Sequence, residues 1–238
     1  MNKATIEQKF NKVLNRISKA AMDAQRDPGS ITLMAVSKTK PSQDIILAYQ
    51  AGARHFGENY LQEAQHKIAA LNALPITWHF IGPIQSNKTR PIAELFDWVH
   101  SVDRLKVAQR LSDQRPHELN PLQICLQVNV SNEPSKSGVA LHEAEALALA
   151  IDALPNIVLR GLMAIPEPSN AFEAQQSAFL KVRDLFEQIQ RRIPHMDTLS
   201  MGMSQDLEAA IAEGATIVRI GTDIFGARDR GLQASNVY

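Results

Sequence analysis

An apolar, β-prone run, Leu33-Met34-Ala35-Val36, leads straight into Ser37-Lys38-Thr39-Lys40-Pro41, so a strand ends on an amine. Ligands collect at the carboxyl ends of strands in α/β sheets, and a lysine placed there can meet a carbonyl or a phosphate. Taken alone, Lys38 reads first as a solvated strand-end cation, because lysines are mostly exposed. Its chemistry therefore depends on what the fold brings beside it. The other capable residues are Asn59 behind Phe56-Gly57-Glu58, His79, Ser200 and Ser204 in Ser200-Met201-Gly202-Met203-Ser204, Arg219, and the pair Gly221-Thr222. Glycine lets a backbone approach an anion and a hydroxyl adds a donor, which suits phosphate, although the same residues also make ordinary turns. Asp206 and Glu208 would repel an anion at the helix start they flank. An amine of pKa about 10.4 needs burial or a neighbouring cation to become nucleophilic. Lys40 and Arg219 are the candidates for that role. Once deprotonated, such a lysine attacks an aldehyde to give a Schiff base, the attachment used by enzymes that bind pyridoxal 5'-phosphate (PLP).

These residues need elements to position them, and the chain supplies strands and helices in alternation. Ile6, Phe10, Val13, Leu14, Ile17, Ala20 and Ala21 predict a helix over residues 4–24 ahead of the first strand, 31–36. A helix at 41–50, N-capped by Ser42 and stopped by Gly52, leads to strand 54–57 and a helix over 61–71. Strand 76–81 ends at Gly82-Pro83. Strand 98–102 feeds a helix through Leu105, Val107 and Leu111 capped by Asp103, and strand 122–130 is the longest. Then come helix 141–154, strand 157–164, a long helix over 172–191, strand 196–201, a helix capped by Ser204, and strand 216–220. Eight strands alternating with helices predict a single-domain (β/α)8 TIM barrel over 1–238 rather than an open sheet. Few residues follow the last strand, so the N-terminal helix is expected to cover that gap. The barrel would bring Lys38, Asn59, His79, Ser200, Arg219 and Gly221-Thr222 to one rim.

Composition narrows the partners. In 238 residues, Lys plus Arg and Asp plus Glu number 25 each, so no net field favours nucleic acid or an anionic membrane. No run approaches the roughly eighteen apolar residues of a membrane span, and the N-terminus lacks a signal-peptide core. A lone Cys125 in an apolar run reads as a buried inert thiol and points to the reducing cytoplasm.

Seven ordered motifs carry a resemblance: Ala35-Val36-Ser37-Lys38-Thr39-Lys40-Pro41, Phe56-Gly57-Glu58-Asn59-Tyr60, the stretch from Trp78 to Lys88, Ser135-Lys136-Ser137-Gly138, Arg160-Gly161-Leu162-Met163, Ser200-Met201-Gly202-Met203-Ser204 and Val218-Arg219-Ile220-Gly221-Thr222. Each is weak alone; in this order and spacing, over residues 31–229, they closely resemble the PLP homeostasis protein family. The resemblance implies the alanine racemase barrel fold and PLP held as a Schiff base on Lys38. It also implies Arg219 beside the pyridine nitrogen, Asn59 near the ring substituents, and Ser200, Gly221 and Thr222, with Ser204, around the phosphate. Asp223 departs from the small residue expected there.

Three functions remain open at this point. A PLP-binding regulator or carrier, delivering PLP to PLP-dependent apoenzymes, is favoured. Racemases of this barrel type add a further β domain, which is not expected here, and an arginine at the pyridine nitrogen weakens PLP as an electron sink. A low-activity PLP-dependent amino-acid racemase would need Tyr60 or His79 as a second base, and a class I aldolase would use Lys38 on a sugar phosphate. A hydrogen-bonded core histidine is the plain reading of His79, and a solvated loop lysine that of Lys136. A monomer or weak dimer is expected.

Overall fold

Eight short runs of apolar and β-branched residues form parallel strands: β1 (Thr32–Val36), β2 (His55–Glu58), β3 (Thr77–Phe80), β4 (Trp98–Val102), β5 (Leu122–Asn129), β6 (Ile157–Ala164), β7 (Thr198–Ser200) and β8 (Ile217–Ile220). The computed structural model describes residues 3–131 and 137–227. Each strand pairs with the next in sequence, β4 pairs with β5, and β8 returns to β1, which closes the sheet. This is the predicted (β/α)8 barrel. A two-residue strand, Val139–Ala140, adds to the end of β5 beyond the predicted set.

The helices are α1 (Lys3–Asp23), α2 (Ser42–Gln50), α3 (Leu61–Ala70), α4 (Thr89–Leu95), α5 (Leu105–Gln114), α6 (Leu141–Asp152), α7 (Phe172–Gln190), α8 (Leu207–Ala212) and the single turn α9 (Thr222–Phe225). Ile6, Phe10, Val13 and Ile17 recur every three or four residues on α1 and are all buried. Burying each such side chain is worth roughly 1.5–3 kcal/mol. They pack α1 against α2, α8 and α9, so α1 takes the outer place that the one-turn α9 is too short to fill. Gly52, at φ 114°, stops α2 as expected, and Gly214, at φ 94°, follows α8 in the same way.

Three predicted caps are corrected. Ser42 is the first helical residue, with Pro41 at the cap. Asp103 pairs with the Arg104 guanidinium at 2.8 Å, and Arg104 holds the cap position. Ser204 lies in a turn before α8; Asp206 occupies the cap, its carboxylate accepting Met203 N–H at 2.6 Å. At Asp103 a neighbouring charge, and at Ser204 the turn, outweighed residue preference. Lys136 lies outside the described residues.

Outward-facing strand residues such as Leu33, Ala35, Phe56 and Phe80 join the helices in one apolar cluster. The inside of the barrel is different. At Gly57 an added Cβ would sit 2.7 Å from Met34 Sδ, and at Gly161 it would sit 1.7 Å from Thr198 O, so both glycines answer to close approach. Among the described residues no helix is long and apolar enough to cross a membrane.

Candidate functional site

Strand register builds the rim around Lys38. Val36 lies opposite Gly57 on β2, and two residues on the chain brings the backbones of Lys38 and Asn59 to the same level. On the other side Ala35 pairs with Ile220, which sets Gly221 against Val36; a Cβ on Gly221 would be 3.1 Å from Val36 O. Half-buried Lys38 thus stands between Asn59 and Gly221-Thr222.

Its two neighbours in sequence are fixed by one ammonium. Lys67 on α3 donates to Ser37 O at 2.7 Å, to Glu58 Oε1 at 2.7 Å and to Glu63 Oε1 at 2.5 Å. The Ser37 hydroxyl donates to the same Glu58 oxygen at 2.6 Å, and Thr39 N–H donates to Glu63 Oε1 at 2.6 Å. Thr39 is held at φ 61°, where a β-branched residue is an outlier costing roughly 1–3 kcal/mol. Burial pushes the Glu58 carboxyl above its ordinary range, against the lowering pull of Lys67 and Ser37.

Beneath the rim lies Arg219, paired in register with Met34. Its Nη1 donates to the Ser200 carbonyl and to Ser200 Oγ (3.0 Å), and its Nη2 donates to Ala164 O at 3.0 Å. Burial lowers its pKa to about 10, with Asp206 opposing, so it stays charged at neutral pH. Ser200 Oγ also lies 2.8 Å from His100 Nδ1, His100 Nε2 lies 2.9 Å from His79 Nδ1, and His79 Nε2 lies 3.0 Å from His55 Nδ1. Since β4 and β7 are not sheet neighbours, the His100–Ser200 contact crosses the barrel interior. Burial, with the Arg219 charge second, depresses His100 to about 3. His79 is held well below its ordinary value by burial and then by the flanking imidazoles. His79 is therefore a hydrogen-bonded core histidine. Cys125 is a buried free thiol pushed up to about 12 by desolvation, inert as expected.

The side of the rim around Gly221-Thr222 is shaped by α1. Arg16 Nη1 holds Asp223 at 2.8 Å, its other nitrogens hold Glu208, and Nη2 donates to Ser204 O at 3.1 Å. Of the carboxylates expected to repel an anion, Glu208 is thus paired with Arg16, and Asp206 is turned onto Met203 N–H. Thr222 opens α9 in an exposed position, and Ser204 is half-buried. Lys40 donates to Ala227 O at 2.9 Å, tying the Lys38 turn to the chain beyond α9. A separate cavity of about 560 Å³ opens away from this rim, lined by Gln123, Asp152, Arg160, His195 and Asp197. Its polar groups already meet one another, Arg160 with Asp197 and His195 with Asp152.

The model of the alanine racemase N-terminal domain family matches residues 14–229. A pyridoxal phosphate homeostasis protein of Pseudomonas aeruginosa is 62% identical over 232 residues, covering 98% of this chain and 100% of that protein. Its Escherichia coli counterpart is 54% identical over 220 residues, covering 91% and 94%. This chain belongs to the pyridoxal phosphate homeostasis protein family. PipY of Synechococcus elongatus, solved with PLP bound, is 40% identical with a TM-score of 0.78, covering 88% of this chain and 100% of that one. Alanine racemase of Corynebacterium glutamicum, 16% identical with a TM-score of 0.72, covers 99% of this chain and 64% of that one and shares the fold. Family membership and barrel agree with the motif reading. Lys67, Glu63, His55, His100 and Arg16 escaped it: a helical lysine and two strand histidines carry no signal until the register shows what they touch.

For this family member two outcomes follow. Lys67→Met leaves Glu58 buried beside no cation and should cost about 3–5 kcal/mol in urea unfolding, whereas Lys67→Met with Glu58→Leu should recover most of it. A single variant within about 0.5 kcal/mol of the parent would show the pair to be solvated.

Stability should also fall as pH drops. The unfolded chain protonates His79 and His100 near 6.5 while the fold keeps them neutral, so unfolding takes up protons. Two imidazoles contribute about 2.7 kcal/mol per pH unit below 6.5, and the upshifted Glu58 opposes with at most about 1.4, leaving a net loss. For His100 the loss continues down to about 3. Urea titrations at pH 7.5 and 5.5 measure it; equal stabilities would contradict a neutral interior.

Proposed function

We propose that this chain holds PLP at the carboxyl mouth of its barrel, with Lys38 supplying the amine, and serves to bind and regulate PLP rather than to turn over amino acids. The observation that carries this reading is the register that sets Lys38 between Asn59 and Gly221-Thr222, with the buried cation Arg219 deeper in the barrel at the level of Met34. PLP supplies an aldehyde that condenses with an amine and a ring that can withdraw electrons.

The residues fit such a group. Asn59 Oδ1 is buried with no partner among the described residues, which suits a polar ring substituent. Arg219 has five N–H groups, of which three are committed, and the remainder suit an acceptor such as a ring nitrogen. Gly221 keeps the rim open for a phosphate beside the Thr222 hydroxyl, and Ser204 flanks it. Ser200 takes a different part from the one the motif implied. Its hydroxyl is committed inside the barrel to Arg219 and His100, so it holds the arginine and leaves the phosphate to Gly221-Thr222.

An arginine facing the ring nitrogen disfavours protonation there and weakens the ring as an electron sink. His79, the candidate second base, has both ring nitrogens engaged within the barrel. Both points favour holding PLP over racemisation, with PLP-dependent apoenzymes as recipients. That the relatives carry the homeostasis name and PipY was solved with PLP supports the reading.

Lys38→Ala should keep the fold and lose covalent PLP, read by absorbance, borohydride reduction and peptide mapping. A pyridoxyl label on Lys40 instead, or amino-acid racemisation at roughly one per second or faster by the parent, would defeat the proposal.

Thr222→Ala should weaken PLP retention by roughly ten- to a hundredfold, the loss of one donor to a charged acceptor, while pyridoxal without the phosphate barely responds. Equal weakening of both would remove Thr222 from the phosphate site.

A further inference from the structure

The chain of contacts from Arg219 through Ser200, His100 and His79 to His55 has a direction that proton counting can assign. A guanidinium only donates, so Ser200 Oγ accepts from Arg219 and must place its own proton elsewhere. Ser200 is fully buried, and among the described residues the acceptor in reach is His100 Nδ1 at 2.8 Å. With Nδ1 accepting, neutral His100 carries its proton on Nε2 and donates to His79 Nδ1; His79 then carries Nε2–H and donates to His55 Nδ1. The reverse order would strand the serine proton in a dry interior, and a buried donor left without an acceptor is costly. Charging His79 would set its Nδ1–H against the Nε2–H of His100, and charging His100 would set an Nδ1–H against the serine hydroxyl proton. His55, half-buried at the start of β2, ends the run, and Asp97 is the charge that acts on it.

We propose that His100, His79 and His55 are positioning residues for Arg219: a tautomer-locked hydrogen-bond chain, polarised by the guanidinium, that pins Ser200 and with it the arginine beneath Lys38. The chain spans β2, β3, β4, β7 and β8 and links the ligand layer to the half-buried start of β2. It rests on the PLP reading only in taking Arg219 as ligand-facing, and the measurements that decide it need no PLP. Trp98 supports the geometry by stacking on His79 at 5.6 Å between ring centroids, with His100 at 5.7 Å.

Long-range ¹H–¹⁵N correlation spectra of the full chain, labelled at histidine and arginine, test this directly. His79 and His100 should both be neutral with the proton on Nε2, and an Nδ1–H or charged signal at either would overturn the assignment. In Arg219→Met the direction should be lost, giving mixed or reversed tautomers; an unchanged pattern in the folded variant would show that the arginine does not set it. His100→Leu should speed solvent exchange of the Arg219 guanidinium by roughly tenfold, as for the loss of one buried hydrogen bond, and His100→Asn, whose amide oxygen can accept where Nδ1 does, should restore it. Should His100→Leu not fold, Ser200→Ala breaks the same link with little change in volume and must loosen Arg219 equally. An arginine signal indifferent to these changes would reduce the histidines to core filling.

Discussion

The rim of this barrel hangs on one buried ammonium. Lys67 is 5% exposed and its carboxylate partner Glu58 not at all, so removing both from water costs several kcal/mol per ion before any attraction is counted. Such a pair is a poor source of stability compared with apolar packing. Its value is positional: the same Nζ binds Ser37 O and Glu63, and Glu63 in turn holds Thr39 N–H in a left-handed turn. Two backbone positions flanking Lys38 are thereby set from one point on α3. A lysine on an unpinned loop would sample many orientations, and ordering it on ligand binding would subtract from affinity.

A second constraint runs through the middle of the barrel. TIM barrels usually fill this space with branched apolar side chains. Here Met34 and Cys125 share it with Arg219, Ser200 and imidazoles, and the polar groups meet one another. A buried guanidinium needs acceptors, and it finds two carbonyls and a hydroxyl; the hydroxyl needs an acceptor in turn, and the histidines pass that demand along to half-buried His55. Burial lowers every imidazole in the series, so the positive charge of Arg219 stays undivided. The interior is thus stable only as a completed network, since a half-satisfied one costs more than an apolar core.

How much of this was legible in the residues follows from the range of each interaction. Helix α1 and the strands were readable because periodicity is local: Ile6, Phe10, Val13 and Ile17 mark one face without knowledge of what covers it. Boundaries shifted by one or two residues, most at β7, where 196–201 shortens to Thr198–Ser200. The rim residues Lys38, Asn59, Gly221 and Thr222 could be named from strand ends and motif order. Lys67 could not, because on a helix surface a lysine is expected to be solvated and only the packing of α3 against the Ser37 turn buries it. His55 and His100 were invisible for a related reason: their partners lie 24 and 100 residues away, on a neighbouring strand for His55 and across the closed barrel for His100. The cap residues failed where a nearby charge or turn competed, as Arg104 does for Asp103.

Charge placement explains why an acidic residue can stand at the mouth of a site read as anion-binding. Asp223 follows Thr222 directly, and α8 contributes Glu208, so without compensation the field at Gly221 would oppose a phosphate. Arg16 lies on α1, 207 and 192 residues away in sequence, and engages both carboxylates. At 30% exposure its contribution to stability is modest, because water screens such pairs. Its charge offsets part of the negative field of the two carboxylates it touches. The helix that completes the outer ring of the barrel therefore also sets the electrostatics of the rim. That joins the two tasks of α1 in one residue: the apolar stripe fixes where the helix lies, and the position so fixed sets Arg16 against Asp223 beside Gly221-Thr222.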